Sequence, residues 1–492
     1  MIDKHLPVLL IVLPLMASPI CALLRNRILN RLFAILVCWL TLVMSVLLLT
    51  KVIGAGPISY ALGSWPPPWG IEYRVDTVNA FVLLLVSLMG AIVVLYTPAS
   101  ISRELPGIRS NLFYAAYLLC LTGLLGMVAT GDAFNVYVFL EICSLASYAL
   151  ISLGPDRRAL SASYRYLIMG TIGATFFVIG IGLLYAMTGT LNMMDLAERL
   201  PPVMHTRTVL VAFAFLSVGL SLKLALFPMH VWLPSAYTYA PSAVTAFLAA
   251  TATKVSVYVF LRFFFTIFGH EYTFSTLRLD YLIIPLALAA VFVGSLVAVF
   301  QNNIKRMLAY SSIAQIGYMM LGIGLVSITG LTGTLVHLFN HALIKGALFL
   351  AIGCVVYQLG SVELEDFRGL GKRMPFTMAA FVAGGLSLIG VPMTVGFVSK
   401  WYLVLAALEK GMWPIAVLIL IGSLIAVAYI WRIVEVAYFQ EPEQEIAVAE
   451  APLSMHIPMW ILLAGTFYFG LDTTHTAGIA AKGAALLMGT NP

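Results

Sequence analysis

Charge is the scarcest ingredient of this sequence. Only 10% of its 492 residues are Asp, Glu, Lys or Arg, 61% are hydrophobic, and mean hydropathy is +1.00. Soluble domains carry about 25% charged residues, so a water-soluble globule is excluded, and with it the disordered, collagen-like and disulfide-scaffold classes. Cysteine is sparse as well. Cys21, Cys38, Cys120, Cys143 and Cys354 all fall inside apolar runs without CxxC spacing. They read as buried thiols acting as small hydrophobes, not as disulfides or metal ligands. There is no GxxxxGK[ST], no dinucleotide fingerprint and no HExxH, so no cofactor, metal site or enzymatic activity is expected. The formal net charge of +6 comes without a basic cluster larger than a loop pair such as Arg157-Arg158, which argues against nucleic acid as a partner.

What the sequence does have is long, continuous apolar runs, the mark of an all-α integral membrane protein rather than a barrel. With about 20 apolar residues needed per crossing, spans are predicted at 6–24, 31–50, 75–98, 111–130, 133–153, 160–187, 207–239, 242–268, 281–301, 305–326, 331–358, 375–408, 413–434 and 456–472, about 14 helices. The first run carries Pro7 and Pro14 and is followed by Arg25, Arg27 and Arg31, so it reads as a retained span rather than a signal peptide. The seventh and twelfth are too long for one crossing and are interrupted, by Pro228 and Pro234 and by Gly384, Gly385, Gly390, Pro392 and Gly396. Such breaks survive at membrane depth only where protein or water satisfies the freed backbone. They sit five helices apart, which suggests two inverted five-helix repeats with a site at their interface. The predicted organisation is 1–98 for three leading helices, 111–268 and 281–434 for the repeats, and 456–492 for a last helix and tail. Placing the loop after the first span inside gives a Lys/Arg count of thirteen to eight in favour of that side, which puts both termini outside. On the inner side, Glu441, Glu443, Glu445 and Glu450 read as a solvated loop. Trp65-Pro66-Pro67-Pro68-Trp69 reads as a rigid anchor at the outer interface.

The informative residues are the charges that lie centrally in apolar runs: Glu141, Lys223, Lys254, Lys345 and Lys400. One charge at the bilayer centre costs about 2.5–3.5 kcal/mol, so five facing lipid would cost on the order of 10 kcal/mol. They must face the bundle interior, a partner charge or water. Snorkelling from a helix end does not explain Lys254, thirteen residues beyond Pro241 and so about 20 Å along a helix. Glu141 and Lys223, each mid-span, are expected to pair, either as a permanent structural ion pair or as one that opens and releases a proton. His337, His341 and Lys345 recur at i, i+4 and i+8 and so line one helix face. A His pair at this spacing can bind zinc, but Lys345 would set a positive charge against the metal, and imidazole titrates near neutrality, so a proton relay fits better. Ser144, Ser147, Ser221, Thr251, Thr253 and Ser399 are candidates to hold bridging waters, although small polar residues also serve helix packing.

These features together resemble the antiporter-like subunits shared by Mrp-type cation/proton antiporters, respiratory complex I and membrane-bound hydrogenases. The resemblance runs over nearly the whole chain and is carried by FNVYVFLEICSLASYALISLG, KLALFPMHVWLPSAYTYAPSAVTAFLAATATKV, NIKRMLAYSSIAQIGYM and the HxxxHxxxK of the eleventh span. It implies inverted repeats formed by spans 4–8 and 9–13, and proton transfer across the membrane centre. Carried over, Glu141 and Lys223 would be the gating pair, Lys254 the central relay, His337, His341 and Lys345 the linking stretch, and Lys400 the terminal group. Lysine at 400 and the length most resemble the D-type subunits of Mrp antiporters; the long C-terminal extension of the largest members is not expected here. The implied setting is a prokaryotic inner membrane, with other membrane subunits and the lipid bilayer as partners and with protons and Na+ as the ions moved. The rival readings are a subunit of a redox-driven complex of the same family and a scaffold whose buried charges only fix helix register.

Overall fold

The computed structural model describes residues 4–107, 110–442 and 448–490. Helices α1 (Leu6–Leu23) and α2 (Arg27–Ala55) lead into a small antiparallel hairpin, β1 (Ile58–Ala61) with β2 (Glu72–Val75), in which Ile58 faces Val75 and Ala61 faces Glu72. Then follow α3 (Thr77–Glu104), α4 (Ser110–Ala129), α5 (Ala133–Ser152), α6 (Arg158–Thr188), the short α7 (Met193–Arg199), α8 (Arg207–Leu224), α9 (Trp232–Tyr239) and α10 (Ser242–Leu261), which continues as a π-helical stretch, Arg262–Ile267. The remainder comprises α11 (Asp280–Val299), α12 (Ile304–Gly324), α13 (Ile328–Leu359), α14 (Leu370–Arg373), α15 (Pro375–Ile389), α16 (Val395–Glu409), α17 (Trp413–Phe439), α18 (Leu453–Leu471) and α19 (Thr474–Leu487).

Helix starts are written in the sequence. Asn26, Asp76, Asp132, Asn192, Thr206, Asn303 and Ser327 each accept a hydrogen bond from a backbone N–H of the first turn that follows, which satisfies donors a helix leaves open. Among the described residues, twelve helices are long and apolar enough to cross a membrane. The polar α12 and the interrupted α15–α16 are not among them; they lie where the sequence places its tenth and twelfth spans. The seventh span is likewise two helices, α8 and α9. The chain is an all-α, multi-pass membrane protein, with the β1–β2 hairpin as its one sheet among the described residues.

At the centre stands α13. Every residue from Gly330 to Val355 is buried, because α3, α10, α12, α15, α16, α18 and α19 all pack around it. By contrast α2, α6, α11 and α17 bury less than two-fifths of their most apolar stretch and form the perimeter. Neighbouring helices approach closely through small residues: a Cβ on Gly219 of α8 would lie 2.7 Å from the Gly173 carbonyl oxygen of α6. All five cysteines are free and buried.

Three expectations need correction. Residues 474–487 are a helix, α19, not a tail; Ala477, Ala480 and Ala484 are buried against α3 and α13, and its 14 residues, Lys482 among them, are too few for an ordinary crossing. Helix α3 runs on through Pro98 to Glu104. Glu450 is not a solvated side chain. Its carboxylate accepts from the Phe376 and Thr377 N–H groups at 2.6 and 3.3 Å and from Thr377 Oγ1 at 2.6 Å, capping α15, and lies 3.1 Å from His456 Nε2. Glu443, Glu445 and Arg109 lie outside the described residues.

A second buried charge group ties the hairpin to the bundle. Arg262 Nη2 lies 2.5 Å from Asp76 Oδ1 and 2.5 Å from Asn79 Oδ1, and its Nε donates to Tyr258 Oη at 2.9 Å. Removing one partner of a buried pair costs about 3–5 kcal/mol, because the other charge is left uncompensated. Asp76→Ala and Arg262→Met are each expected to lower the apparent melting temperature in detergent by several degrees. The double variant should recover part of the loss, and additive losses would refute the pairing.

Candidate functional site: a buried row of ionisable side chains

Both interrupted spans break in the same way. Helix α8 ends in a left-handed residue, Ala225 at φ 60°, and α15 in Gly390 at φ 93°. The carbonyls exposed by each break find side-chain donors. Trp232 Nε1 donates to Leu222 O at 2.9 Å, and Lys400 Nζ donates to Leu388 O at 3.1 Å and Ile389 O at 2.8 Å. A cation at a helix C-terminus is favoured by the aligned peptide dipoles as well as by these bonds. Lys223 occupies the last turn of α8 in the same sense. Gly396 lets α16 return beneath the end of α15, since a Cβ there would lie 1.7 Å from Ser387 O.

The expected pair is present in space. Glu141 Oε1 on α5 lies 3.9 Å from Lys223 Nζ on α8, and Lys223 donates to Ser144 Oγ at 2.9 Å, one turn from Glu141. The lysine is buried and the carboxylate partly exposed, with side-chain exposures of 5% and 26%. Lys254, fully buried in α10, donates to Ala249 O of its own helix and to Thr253 Oγ1 at 3.4 Å. Lys345 on α13 donates to Leu308 O at 2.8 Å and to Ser311 Oγ, both on α12. Lys254 lies within electrostatic reach of His337, His341 and Lys345, and Lys400 within reach of His337.

The two histidines join these lysines. Their rings stack with centroids 6.0 Å apart at 13°, and His337 Nδ1 is 2.9 Å from Ser399 Oγ, the residue before Lys400. Both rings are buried, yet His337 Nε2 and both His341 nitrogens have no hydrogen-bond partner among the described residues. A buried polar atom left unsatisfied costs about 1–3 kcal/mol, so these nitrogens favour water at this point of the row. No third His, Cys, Asp or Glu joins the pair in a cluster able to hold a metal ion, among the described residues.

Of the hydroxyls marked in the sequence, Ser144, Thr253 and Ser399 touch ionisable groups, whereas Ser147 and Thr251 bond backbone carbonyls of their own helices at 2.7 Å. Sequence reasoning missed Ser311 and Tyr318. The Tyr318 ring lies 5.1 Å from Lys400 Nζ and 5.8 Å from the His337 ring; both residues belong to the NIKRMLAYSSIAQIGYM segment. It also missed Arg262, which lies inside the predicted span 242–268, six residues before its end.

Fold and site define a class: a multi-pass helical membrane protein whose interior holds a set of ionisable side chains, two of them at helix breaks. The chain belongs to the NADH:quinone oxidoreductase/Mrp antiporter transmembrane family, whose model matches residues 130–426, a stretch that includes all seven candidate residues. It is 42% identical over 489 residues to the N-type subunit of the NADH-quinone oxidoreductase of Desulforudis audaxviator, covering 95% of this chain and 96% of that one. It is 30% identical over 484 residues to the D-type subunit of the Na(+)/H(+) antiporter of Bacillus subtilis, covering 97% of each. Among solved structures it superposes on a chain of the membrane-bound sulfane sulfur reductase, an archaeal respiratory membrane complex, with TM-score 0.91 and 32% identity over 98% of both chains. Antiporter and oxidoreductase subunits thus both stand among its relatives.

The α15–α16 break is directly testable. Gly396→Ala drives a methyl group into Ser387 O and is expected to lower the monodisperse, folded yield in detergent. Gly182→Ala, with nothing within 4 Å, leaves it unchanged; equal yields for both would contradict the packing described.

Proposed function

We propose that this chain is a proton-translocating subunit of a multisubunit complex in a prokaryotic inner membrane, with both termini on the outer side. Protons pass along Glu141 and Lys223, Lys254, His337, His341 and Lys345, and Lys400. The observation that carries this reading is the set of ionisable side chains held inside the bundle, each beside a hydroxyl, a helix-end carbonyl or another titratable side chain. Glu141 and Lys223 act as the gate. While paired, both stay charged; when they part, the lysine loses its counter-charge in a low-dielectric setting and tends to release its proton. Lys254 takes up the charge in the first half, the α13 stretch links the halves, and Lys400 delivers it in the second. One charge falling through 100 mV yields about 2.3 kcal/mol, enough to move a protonation equilibrium roughly fiftyfold.

The coupling we propose is cation/proton antiport with Na+ as the exchanged cation, the reading that the relationship to the D-type subunit of a Na(+)/H(+) antiporter supports. A second reading, the same proton path driven by redox chemistry in other subunits, is favoured by the higher identity to an N-type oxidoreductase subunit. Everted vesicles containing the whole complex separate them. Antiport gives dissipation of a pH gradient on adding Na+ without an electron donor, and the redox reading gives proton uptake only with one.

In either mode Glu141→Ala and Lys223→Ala are each expected to reduce proton movement at least tenfold at unchanged expression, since a lone partner can no longer switch. Wild-type rates in both variants would overturn the proton path. Unaltered transport in Lys254→Ala and Lys400→Ala would instead favour a scaffold.

A further inference from the structure

At the end of the bundle where α1, α3 and α13 terminate, two adjoining cavities open beside α2. The smaller, about 250 Å³, is lined by Arg27 and Arg31 of α2, Ser102 of α3, and Ser110 and Tyr114 of α4. The larger, about 610 Å³, shares Arg31, Pro98 and Ser102 with it and continues along the bundle over Ile35, Leu95, Ala99 and Ile457. Polar and cationic groups therefore gather at one end, and an apolar trough leads away from them toward membrane depth.

The cationic end is rigidly built. Asn30 is buried and its Nδ2 donates to Cys21 O at 2.5 Å and Leu24 O at 3.3 Å, which ties the turn between α1 and α2 to the helix that carries both arginines. Asn111 Nδ2 donates to Ala22 O at 2.7 Å and fixes the start of α4 to the same turn. The N-termini of α2 and α4 thus both end at the smaller cavity, and their dipoles favour an anion there. Both arginines are exposed. Neither has a carboxylate partner among the described residues, and no Asp or Glu lines either cavity. Beyond the trough, Ile28, Leu32, Leu36 and Trp39 present a continuous exposed apolar stripe on α2.

From this geometry we infer a binding site for an anionic glycerophospholipid, its phosphate held by Arg27 and Arg31 and an acyl chain lying in the trough between α2, α3 and α18. The charge pattern selects this occupant over a helix of another subunit, which would lay apolar side chains against two unpaired guanidinium groups at the headgroup level. Basic pockets between helix ends are suited to anionic headgroups, and each arginine near the surface adds attraction. The bound lipid would wedge α2 against α3 and α18 at the perimeter.

The test is native mass spectrometry of the full-length protein in mild detergent with equal amounts of phosphatidylglycerol and phosphatidylcholine. The wild type is expected to retain phosphatidylglycerol with a preference of about tenfold, and millimolar inorganic phosphate should not displace it. Arg27→Gln with Arg31→Gln should abolish the preference. Ala99→Phe, which keeps both arginines but fills the trough, should reduce retention of either lipid at an unchanged melting temperature. Equal retention of the two lipids by the wild type, or a preference that survives the arginine substitutions, would overturn the site. Displacement by inorganic phosphate would show a simple anion site instead. Efficient cross-linking of the Ala99→Cys variant to another subunit would show a protein helix in the trough.

Discussion

The solvation of charge inside a membrane-spanning bundle is the constraint on which everything else here depends. A lysine or histidine remote from water needs a dipole, a counter-charge or a hydroxyl, and a straight, fully bonded helix offers few of these. At two places the fold meets the need by ending a helix inside the bundle. At the end of α15 the orphaned carbonyls of Leu388 and Ile389 become the ligands of Lys400, and at the end of α8 the last turn carries Lys223 toward Ser144 and Glu141. A feature that would be a defect in an ordinary span, a break at Ala225 or Gly390, thereby becomes the means of keeping a charge in the interior.

The same constraint explains why α13 lies at the centre. A helix that carries two imidazoles and an ammonium on one face cannot stand at the perimeter, where that face would meet lipid. Enclosed by seven neighbours, it presents His337 to Ser399 and Lys345 to Ser311 and Leu308. It is the element through which the lysines of α10 and α16 come near a common set of groups. The glutamate differs in character, being partly exposed and 3.9 Å from its lysine. That contact is looser than the 2.5 Å contact of Arg262 with Asp76.

Much of this was legible in the sequence because membrane helices announce themselves by hydropathy and a buried charge by its isolation within an apolar run. Glu141, Lys223, Lys254, Lys345 and Lys400 were visible for that reason, and the His337, His341 and Lys345 face followed from helical periodicity. What escaped was polar structure at the ends of spans. Asp76 and Arg262 lie near the ends of predicted spans and Glu104 just beyond one, yet Arg262 and Asp76 form a buried pair, and Glu104 accepts from Ser242 N and Oγ at 2.9 and 3.1 Å. Helix α19 escaped because its 14 residues are too few for an ordinary crossing, although its small residues suit it to close packing. Glu450 escaped because capping a distant helix leaves no local signature in the sequence.

The central claim is that water joins these side chains into one path for protons. A high-resolution density map of the intact complex in lipid nanodiscs tests it most directly, through ordered solvent around His337 and His341. Water is expected within hydrogen-bonding distance of His337 Nε2 and of both His341 nitrogens, continuing toward Lys254 on one side and Lys400 on the other. A dry, close-packed interior around these nitrogens, with no solvent between the lysines, would contradict the claim.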